Sequence, residues 1–378
     1  MKLLERKKDV VTGATDLEDL HVLPDFPVFM GSVDHPKSQD LVADLAWSIS
    51  RDSGLIQLKN PLPLDVLYQA QTTTTAVGAL WMAHHKAFAG FLYRYAPRKV
   101  IEFGGAHGIL EKEYQAHGRI PWTILEPNPS PIEGCNAKFI KGFFDEKFTY
   151  AEDFDTVVHS HVFEHMYEPD QFMQQLRRFT KPGTRMVFSV PNLFEWLEKK
   201  YTNCINFEHS VFLTEPYVDH LLAKHGFKVL AKEYFMGDHS IFYAAVRDDS
   251  VQTTKLPPDL YEKNKQLYLN YVSYHENLIH DLNQKLAELK NPVYLFGAHI
   301  FAQYLIAFGL DTSRIASLLD NDPKKQGRRL YGTQLLVQSS KILREIQAPV
   351  VILKAGVYNE EIRNDILVNI NPDCIFLE

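Results

Sequence analysis

The chain has 378 residues, more than one hydrophobic core usually serves, so two or three domains are expected. Its 45% hydrophobic and 23% charged residues fit an ordinary globular protein. The net charge of −7 argues against general nucleic-acid binding, which needs a basic face. No apolar run reaches the ~18 residues of a membrane span, and the charged start, Met1-Lys-Leu-Leu-Glu-Arg-Lys-Lys-Asp9, lacks the apolar stretch of a secretory signal. Cys135, Cys204 and Cys374 are too few and too scattered for a disulfide framework or a cysteine zinc site; they fit a reducing, cytoplasmic compartment.

Residues 1–75 read as a small N-terminal module. Its strand-like pieces, Leu23-Pro-Asp-Phe-Pro-Val28 and Gly54-Leu-Ile-Gln-Leu58, are broken by proline, and Lys59-Asn-Pro-Leu-Pro-Leu64 reads as a loop. Residues 76–250 alternate helix and strand patterns. A helix over 76–95 leads to a strand at Lys99–Phe103, and further strands follow at Trp122–Leu125, Lys138–Lys141, Phe154–His159 and Arg185–Val190. Helices at Gln171–Phe179 and Tyr217–His225 stop at Lys181-Pro-Gly183 and Gly226, ahead of Lys228-Val-Leu230 and the strand Ser240–Val246. Such alternation predicts an α/β fold with a parallel, doubly wound, Rossmann-like sheet. Residues 251–290 form a linker and connecting helix; the polar stretch 247–258 precedes a helix over 259–289, whose Leu, Tyr and Val stripe predicts packing against a neighbouring domain. Residues 291–378 begin a second, smaller α/β domain. Its strands are Pro292–Phe296, Ile315–Leu319, Val350–Leu353 and Cys374–Leu377.

The stretch after the first central strand carries the chemistry. Glu102 precedes a turn, Gly104-Gly-Ala-His-Gly108, whose glycines let backbone approach a ligand closely. A dinucleotide site needs G-x-G-x-x-G and an acid about 20 residues later. The spacing differs here and the acid comes first, which suits an adenosine cofactor without a pyrophosphate. Glu102 would attract an ammonium or sulfonium. Glu126 closes the second strand, placed to accept hydrogen bonds from two ribose hydroxyls, or else to cap the turn at Pro127-Asn128. With Asp155 in the fourth strand ahead of Val162-Phe-Glu-His165, the order resembles class I S-adenosylmethionine-dependent methyltransferases. That resemblance implies S-adenosylmethionine as cofactor, held by Glu102, Gly104, Gly105, Gly108, Glu126 and Phe143, with Ser160 and His161 at the carboxyl edge of the fourth strand.

A closer resemblance covers residues 99–246 and 292–378. Phe207-Glu-His-Ser-Val-Phe-Leu-Thr214, Gly237-Asp-His-Ser240 and the C-terminal Phe296-Gly-Ala, Asp320-Asn-Asp-Pro-Lys-Lys-Gln-Gly327 and Gly332 resemble the three-domain C-methyltransferases of nucleotide-linked 4-keto deoxyhexoses. The family's zinc module has its counterparts at Thr12-Gly-Ala-Thr15 and Ser50-Arg-Asp-Ser53 without thiolates, so no metal is expected. The resemblance implies His209 as the base for carbon methylation next to a ketone, with Glu208 holding a substrate hydroxyl or orienting His209. It implies Tyr68, just ahead of Gln71-Thr-Thr-Thr-Thr75, as a catalytic tyrosine, and Asn192, Asn206 and His239 as substrate contacts; Asn206 stands where the family has a tyrosine. His209 and Tyr68 each have a plainer reading as packing residues. The competing functions are O- or N-methylation of a sugar or other small metabolite, and non-catalytic binding of a nucleotide sugar. The expected partner is a small molecule, with no nucleic acid and no membrane, and the chain is a monomer or homodimer.

Four signals are discounted. His161-Val-Phe-Glu-His165 matches H-x-x-E-H, but that zinc motif needs a helix and a third ligand. Of His84 and His85, on a helix with Trp81, Phe88 and Phe91, one should be interfacial and the other solvated. Lys324-Lys325 with Arg328-Arg329 reads as a solvated loop or a diphosphate contact. The turn Gly297-Ala-His299 with Asp320 reads as a second nucleotide site or a degenerate scaffold.

Overall fold

The computed structural model describes residues 3–68 and 78–378. The N-terminal module holds β1 (Leu17–Pro27), β2 (Ser32–Val33), β3 (Val42–Ser50) and β4 (Ile56–Leu58), followed by the single-turn helix α1 (Leu64–Leu67). Strands β1, β3 and β4 form an antiparallel sheet in that order. β1 runs through the proline that the sequence reads as a break. Pro24 falls at a register shift between Leu23 and Phe26 on an edge strand, where a missing N–H removes no essential ladder bond. The two short motifs of this module are joined by a carboxylate. Asp9 accepts from the Val11 and Thr12 amides at 2.7 and 3.0 Å and from the Ser53 hydroxyl, while Ser50 Oγ donates to Asp16. The Gln71–Thr75 run and the 75/76 boundary lie outside the described residues.

The central domain contains α2 (Ala79–Tyr93), β5 (Val100–Phe103), α3 (Ile109–Tyr114), β6 (Trp122–Glu126), β7 (Lys138–Lys141), β8 (Thr156–Ser160), α4 (Pro169–Phe179), β9 (Arg185–Pro191), α5 (Leu193–Glu198), α6 (Glu215–Lys224), β10 (Phe227–Phe235) and β11 (Ser240–Arg247). Its seven strands run in the order β10-β11-β9-β8-β5-β6-β7. The sheet is mixed rather than wholly parallel, because β11 lies antiparallel to both β9 and β10. The short Met236–His239 turn allows only a hairpin there, since a parallel return needs a crossover of a dozen or more residues. Alternate side chains serve two cores. Ile101, Val157, Phe188 and Tyr243 pack on one face, and Val100, Val158, Val187 and Phe242 on the other. The chain leaves β5 towards β6 in one direction and returns to β8 on the other side, which opens a crevice at the strands' carboxyl ends. Asp155 sits at the opposite end of β8. Its carboxylate accepts from the Arg98 and Lys99 amides and from Arg98 Nε, so it ties down the entry to β5 and takes no part in the crevice.

The connecting helix α7 (Leu260–Glu288) serves two domains along its length. Leu267, Tyr268, Tyr271 and Val272 join the N-terminal core, whereas Ile279, Leu282 and Leu286 join the C-terminal one. The C-terminal domain adds β12 (Val293–Phe296), α8 (Ile300–Ala307), β13 (Ile315–Leu319), β14 (Arg329–Leu330), β15 (Val337–Gln338), β16 (Val350–Leu353), α9 (Asn359–Asp365) and β17 (Ile375–Leu377). Five of these strands form a parallel sheet, β15-β13-β12-β16-β17, while β14 pairs with β2 of the N-terminal module.

The basic cluster of this domain is consumed internally. Lys325 pairs with Asp320, Arg328 with Asp34, and Arg329 grips both carboxylate oxygens of Asp40 at 2.7 and 2.6 Å. Asp320 also accepts from the Ala298 amide at 2.9 Å, so this acid closes the Gly297 turn itself. The side chains of Arg329 and Asp40 are 8% and 2% exposed. Burial works to raise the Asp40 pKa, but Arg329, the Gly332 amide and His35 together hold it below its ordinary value. Arg329→Met should therefore destabilise the protein by about 3–5 kcal/mol, as expected when a buried charge loses its partner. Adding Asp40→Leu should recover most of the loss in urea denaturation.

Candidate active site

The turn after β5 is built as a cradle. Gly104 and Gly108 have φ of 71° and 72°, and Ala106 between them also takes a positive φ of 38°. A Cβ on Gly104 would meet Val162 Cγ2 at 2.5 Å; one on Gly105 would meet the Glu102 carboxyl carbon at 2.8 Å. Glu102 thus lies under the turn rather than over it. Its Oε2 accepts from Trp122 Nε1 at 2.8 Å, and burial pushes its pKa up to about 8. Its part here is to support the turn from below; it is not an open counter-ion. Glu126 stands at the same edge and joins two loops, accepting from the Ala106 amide at 3.1 Å and the Asn128 amide at 2.9 Å. The capping role is real, yet a carboxylate has about four acceptor positions and two remain. Phe143 is 52% exposed on the loop after β7. Ser160 Oγ shares a hydrogen bond with Ser189 Oγ. Gly104→Ala should weaken S-adenosylhomocysteine binding at least about tenfold in calorimetry, because the left-handed backbone costs an L-residue about 1–2 kcal/mol and Val162 must also move.

The segment around His209 is held by residues from before, within and after the central stretch. Asn206 Oδ1 accepts from the Glu208 and His209 amides at 2.7 and 3.0 Å, and its Nδ2 donates to Asn203 O. Both ends of this buried side chain are spent inside the loop, so Asn206 shapes the segment instead of reaching a substrate. Asn192 is likewise buried and donates to Gly237 O at 3.1 Å. His209 Nδ1 lies 3.1 Å from Cys204 O, which fixes the tautomer with Nε2 as acceptor. His165 stacks edge-on at 4.9 Å and its Nδ1 meets Glu208 O. Tyr68, at the end of α1, is within electrostatic range of Glu208, Glu164 and Glu126, and burial followed by these acids raises its pKa. Beyond His209, Leu58 of β4 donates to Ser210 O, and Phe212 donates to Ile56 O. Arg6 donates to Ser210 O, Ser210 Oγ and Tyr167 O. From the other side, the Tyr304 hydroxyl of α8 donates to Ile205 O.

A second group of side chains lies beside the first. His161, with a positive φ of 52°, leaves β8 and directs Nε2 to Ser240 Oγ at 2.9 Å, while Nδ1 lies 3.2 Å from Glu164 Oε1. His239 Nδ1 lies 2.6 Å from the same Ser240 hydroxyl. His84 is wholly buried, against the expectation that one of the His84-His85 pair is solvated; His85 is partly buried as well. Trp81 packs edge-on to His84, His161 and His239, with ring centroids 4.8–5.4 Å apart. Burial first, and then the neighbouring imidazoles, lower the pKa of His84 and His161. His161-Val-Phe-Glu-His165 forms a tight turn, not the helix of a zinc protease. His84, Glu164, His165 and Trp81 belong to this site but are not legible as such, although the H-x-x-E-H spacing did mark two of them.

Residues 79–232 match the family model described as a methyltransferase domain. A search of the curated proteins gave no match. Among solved structures the chain is similar to an O-methyltransferase family protein from Burkholderia thailandensis, at 12% identity over 45% of this chain and 57% of that one, with a TM-score of 0.36. It is also similar to magnesium protoporphyrin IX methyltransferase from Synechocystis PCC 6803, at 15% identity over 47% and 90% with a TM-score of 0.37. A third is an S-adenosylmethionine-dependent methyltransferase from Mesorhizobium loti, at 13% identity over 45% and 99% with a TM-score of 0.36. The match thus spans little more than half of the first of these, and likenesses this remote say nothing of substrate. No described helix is long and apolar enough to cross a membrane. Residues 79–232 form a methyltransferase domain of the S-adenosylmethionine-dependent kind.

Proposed function

We propose that the chain methylates carbon next to the ketone of a nucleotide-linked sugar, with His209 as base. The observation that carries this reading is the Cys204 carbonyl on His209 Nδ1, which leaves Nε2 free to take a proton. The residues around the cradle fit the cofactor. Gly104, Gly105 and Gly108 keep the turn clear of side chains, and Glu126 retains acceptor capacity for ribose hydroxyls. S-adenosylmethionine supplies, when bound, a methyl group activated by its sulfonium. His209 Nε2 removes the α-proton, and Cys204 O then holds Nδ1–H of the imidazolium. Glu164 and Glu208 favour that cation electrostatically. Alignment of acceptor carbon and base supplies much of the acceleration.

The acceptor has a place beside them. Trp196 lies 6.3 Å, ring to ring, from both His209 and His239. With Trp81 and His239 it borders a cleft of about 210 Å³, closed on the far side by Phe301 and Tyr358 of the C-terminal domain. Aromatic walls suit the apolar face of a deoxygenated sugar. Incubation with S-adenosylmethionine and a panel of 4-keto sugar nucleotides should yield a product one methyl heavier by mass spectrometry, with the methyl carbon-bound by its carbon-13 shift and resistant to ether cleavage. In deuterated water with S-adenosylhomocysteine, the α-position should exchange without methyl transfer. An oxygen-linked methyl, without exchange, would assign the domain to O-methylation instead.

A further inference from the structure

We propose that His84, His161 and His239 form a binding site for one divalent transition-metal ion of the zinc type. The three imidazoles come from α2, the end of β8 and the turn before β11, and their donor nitrogens lie within 4.8 Å of one another. Zinc–nitrogen bonds of about 2.0–2.1 Å set tetrahedral donors about 3.4 Å apart, so small ring rotations close the set.

The independent sign of a ligand is His84. It is 0% exposed, and neither ring nitrogen has a hydrogen-bond partner among the described residues. A buried imidazole with both nitrogens idle is unfavourable unless something else occupies one of them. Around it are Phe88, Phe235 and Phe242, none of which offers an acceptor. Its other ring contacts are His85, Trp81, His161 and His239, and the last two complete the triad.

The surroundings have the features of a metal site. Glu164 is 1% exposed, neither of its carboxylate oxygens accepts a hydrogen bond among the described residues, and Oε1 lies 3.2 Å from His161 Nδ1. It is placed as the outer carboxylate of a ligating histidine, whose Nε2, now 2.9 Å from Ser240 Oγ, would exchange that hydroxyl for the ion. Ser240 Oγ, 2.9 Å from His161 Nε2 and 2.6 Å from His239 Nδ1, is the hydroxyl that the ion would displace from His161. Three protein ligands leave a fourth position open. His239 and Trp81 also line the aromatic cleft, so the open position adjoins the acceptor site. Imidazole donors select zinc, cobalt, nickel or copper over magnesium and calcium. A second group, Glu164, His165 and His209, also lies within ligand reach, but it contains no buried imidazole with both nitrogens idle as His84 has. The inference does not rest on the methyl-transfer reading and survives its failure.

The test uses the full chain, stripped with chelator and titrated with Zn²⁺, Co²⁺ and Mg²⁺. One equivalent of zinc or cobalt should bind, cobalt giving visible d–d bands and quenching the emission of the nearby Trp81, and magnesium should not compete. His84→Phe should weaken binding by at least about a hundredfold, and Glu164→Gln by about tenfold. Because His84→Phe replaces idle polar atoms with an apolar ring among phenylalanines, its metal-free form should melt no lower than the parent. Should that variant not fold, His239→Ala, altered at a partly exposed residue, gives the same reading. The proposal is overturned if less than one equivalent binds, if His84→Phe and His239→Ala bind like the parent, or if only His165→Gln abolishes binding.

Discussion

A His209→Asn chain should turn over about 10²–10⁴-fold more slowly while binding S-adenosylhomocysteine like the parent, the range expected for loss of a positioned general base. Nothing in the cofactor cradle depends on His209. Its ring is held by Cys204 O and its amide by Asn206. Burial, followed by repulsion from His165, lowers its pKa, and Glu164 and Glu208 only partly offset this. A lowered value keeps the imidazole neutral, and so competent as a base, to more acid conditions. The acid limb of kcat/KM should therefore fall below pH 6.5, the ordinary histidine value, and should vanish in His209→Asn. Parent-like turnover of that variant would remove His209 from the reaction.

Acidification from pH 7 to 5 should cost the fold about 4 kcal/mol through two histidines at the C-terminal domain. His275 on α7 is 2% exposed, and burial lowers its pKa to about 4; burial likewise lowers His299 to about 4. Both are neutral when folded at pH 5, whereas the unfolded chain takes up protons on them below about 6.5. The unfolded state binds more protons in that window, so stability is retained above it and falls as pH drops towards 4. Each site contributes about 1.4 kcal/mol per pH unit, or about 2 kcal/mol at pH 5. Urea titrations at the two pH values measure the difference, and His275→Asn should reduce it by about 2 kcal/mol. Equal stabilities at pH 7 and 5 would contradict the argument.

The cofactor half of the site was legible because its signals are local. An apolar strand, an acid and glycines in one turn specify a cradle wherever they occur together, and Glu126 follows one strand later. The hairpin at Met236–His239 escaped because strand patterns do not encode direction. β1 was cut at Pro24 because a proline reads as a break unless the edge and bulge that tolerate it are known. The histidine group was illegible for a different reason. His84, His161 and His239 lie on separate elements, each with an ordinary local explanation, and only the winding of the sheet brings them together. Asn206 was misread for lack of the loop's hydrogen bonds, which leave its amide nothing to offer a ligand.

The threading of Arg6 and β4 onto Ser210 and Phe212 separates two properties that a domain boundary usually joins. Residues 79–232 contain every strand-end that shapes the cofactor cradle, so the capacity to recognise a cofactor is encoded within one contiguous stretch. The capacity to act on an acceptor is not. The loop that presents His209 is hemmed by a strand from before that stretch and by a tyrosine, Tyr304, from after it. Inheritance of the central segment alone would carry an adenosine receptor into a new gene without its trade. On the proposed role of His209, both flanks would have to travel with it for the chemistry to be inherited, and the three-part chain, rather than its central stretch, would be the unit of turnover.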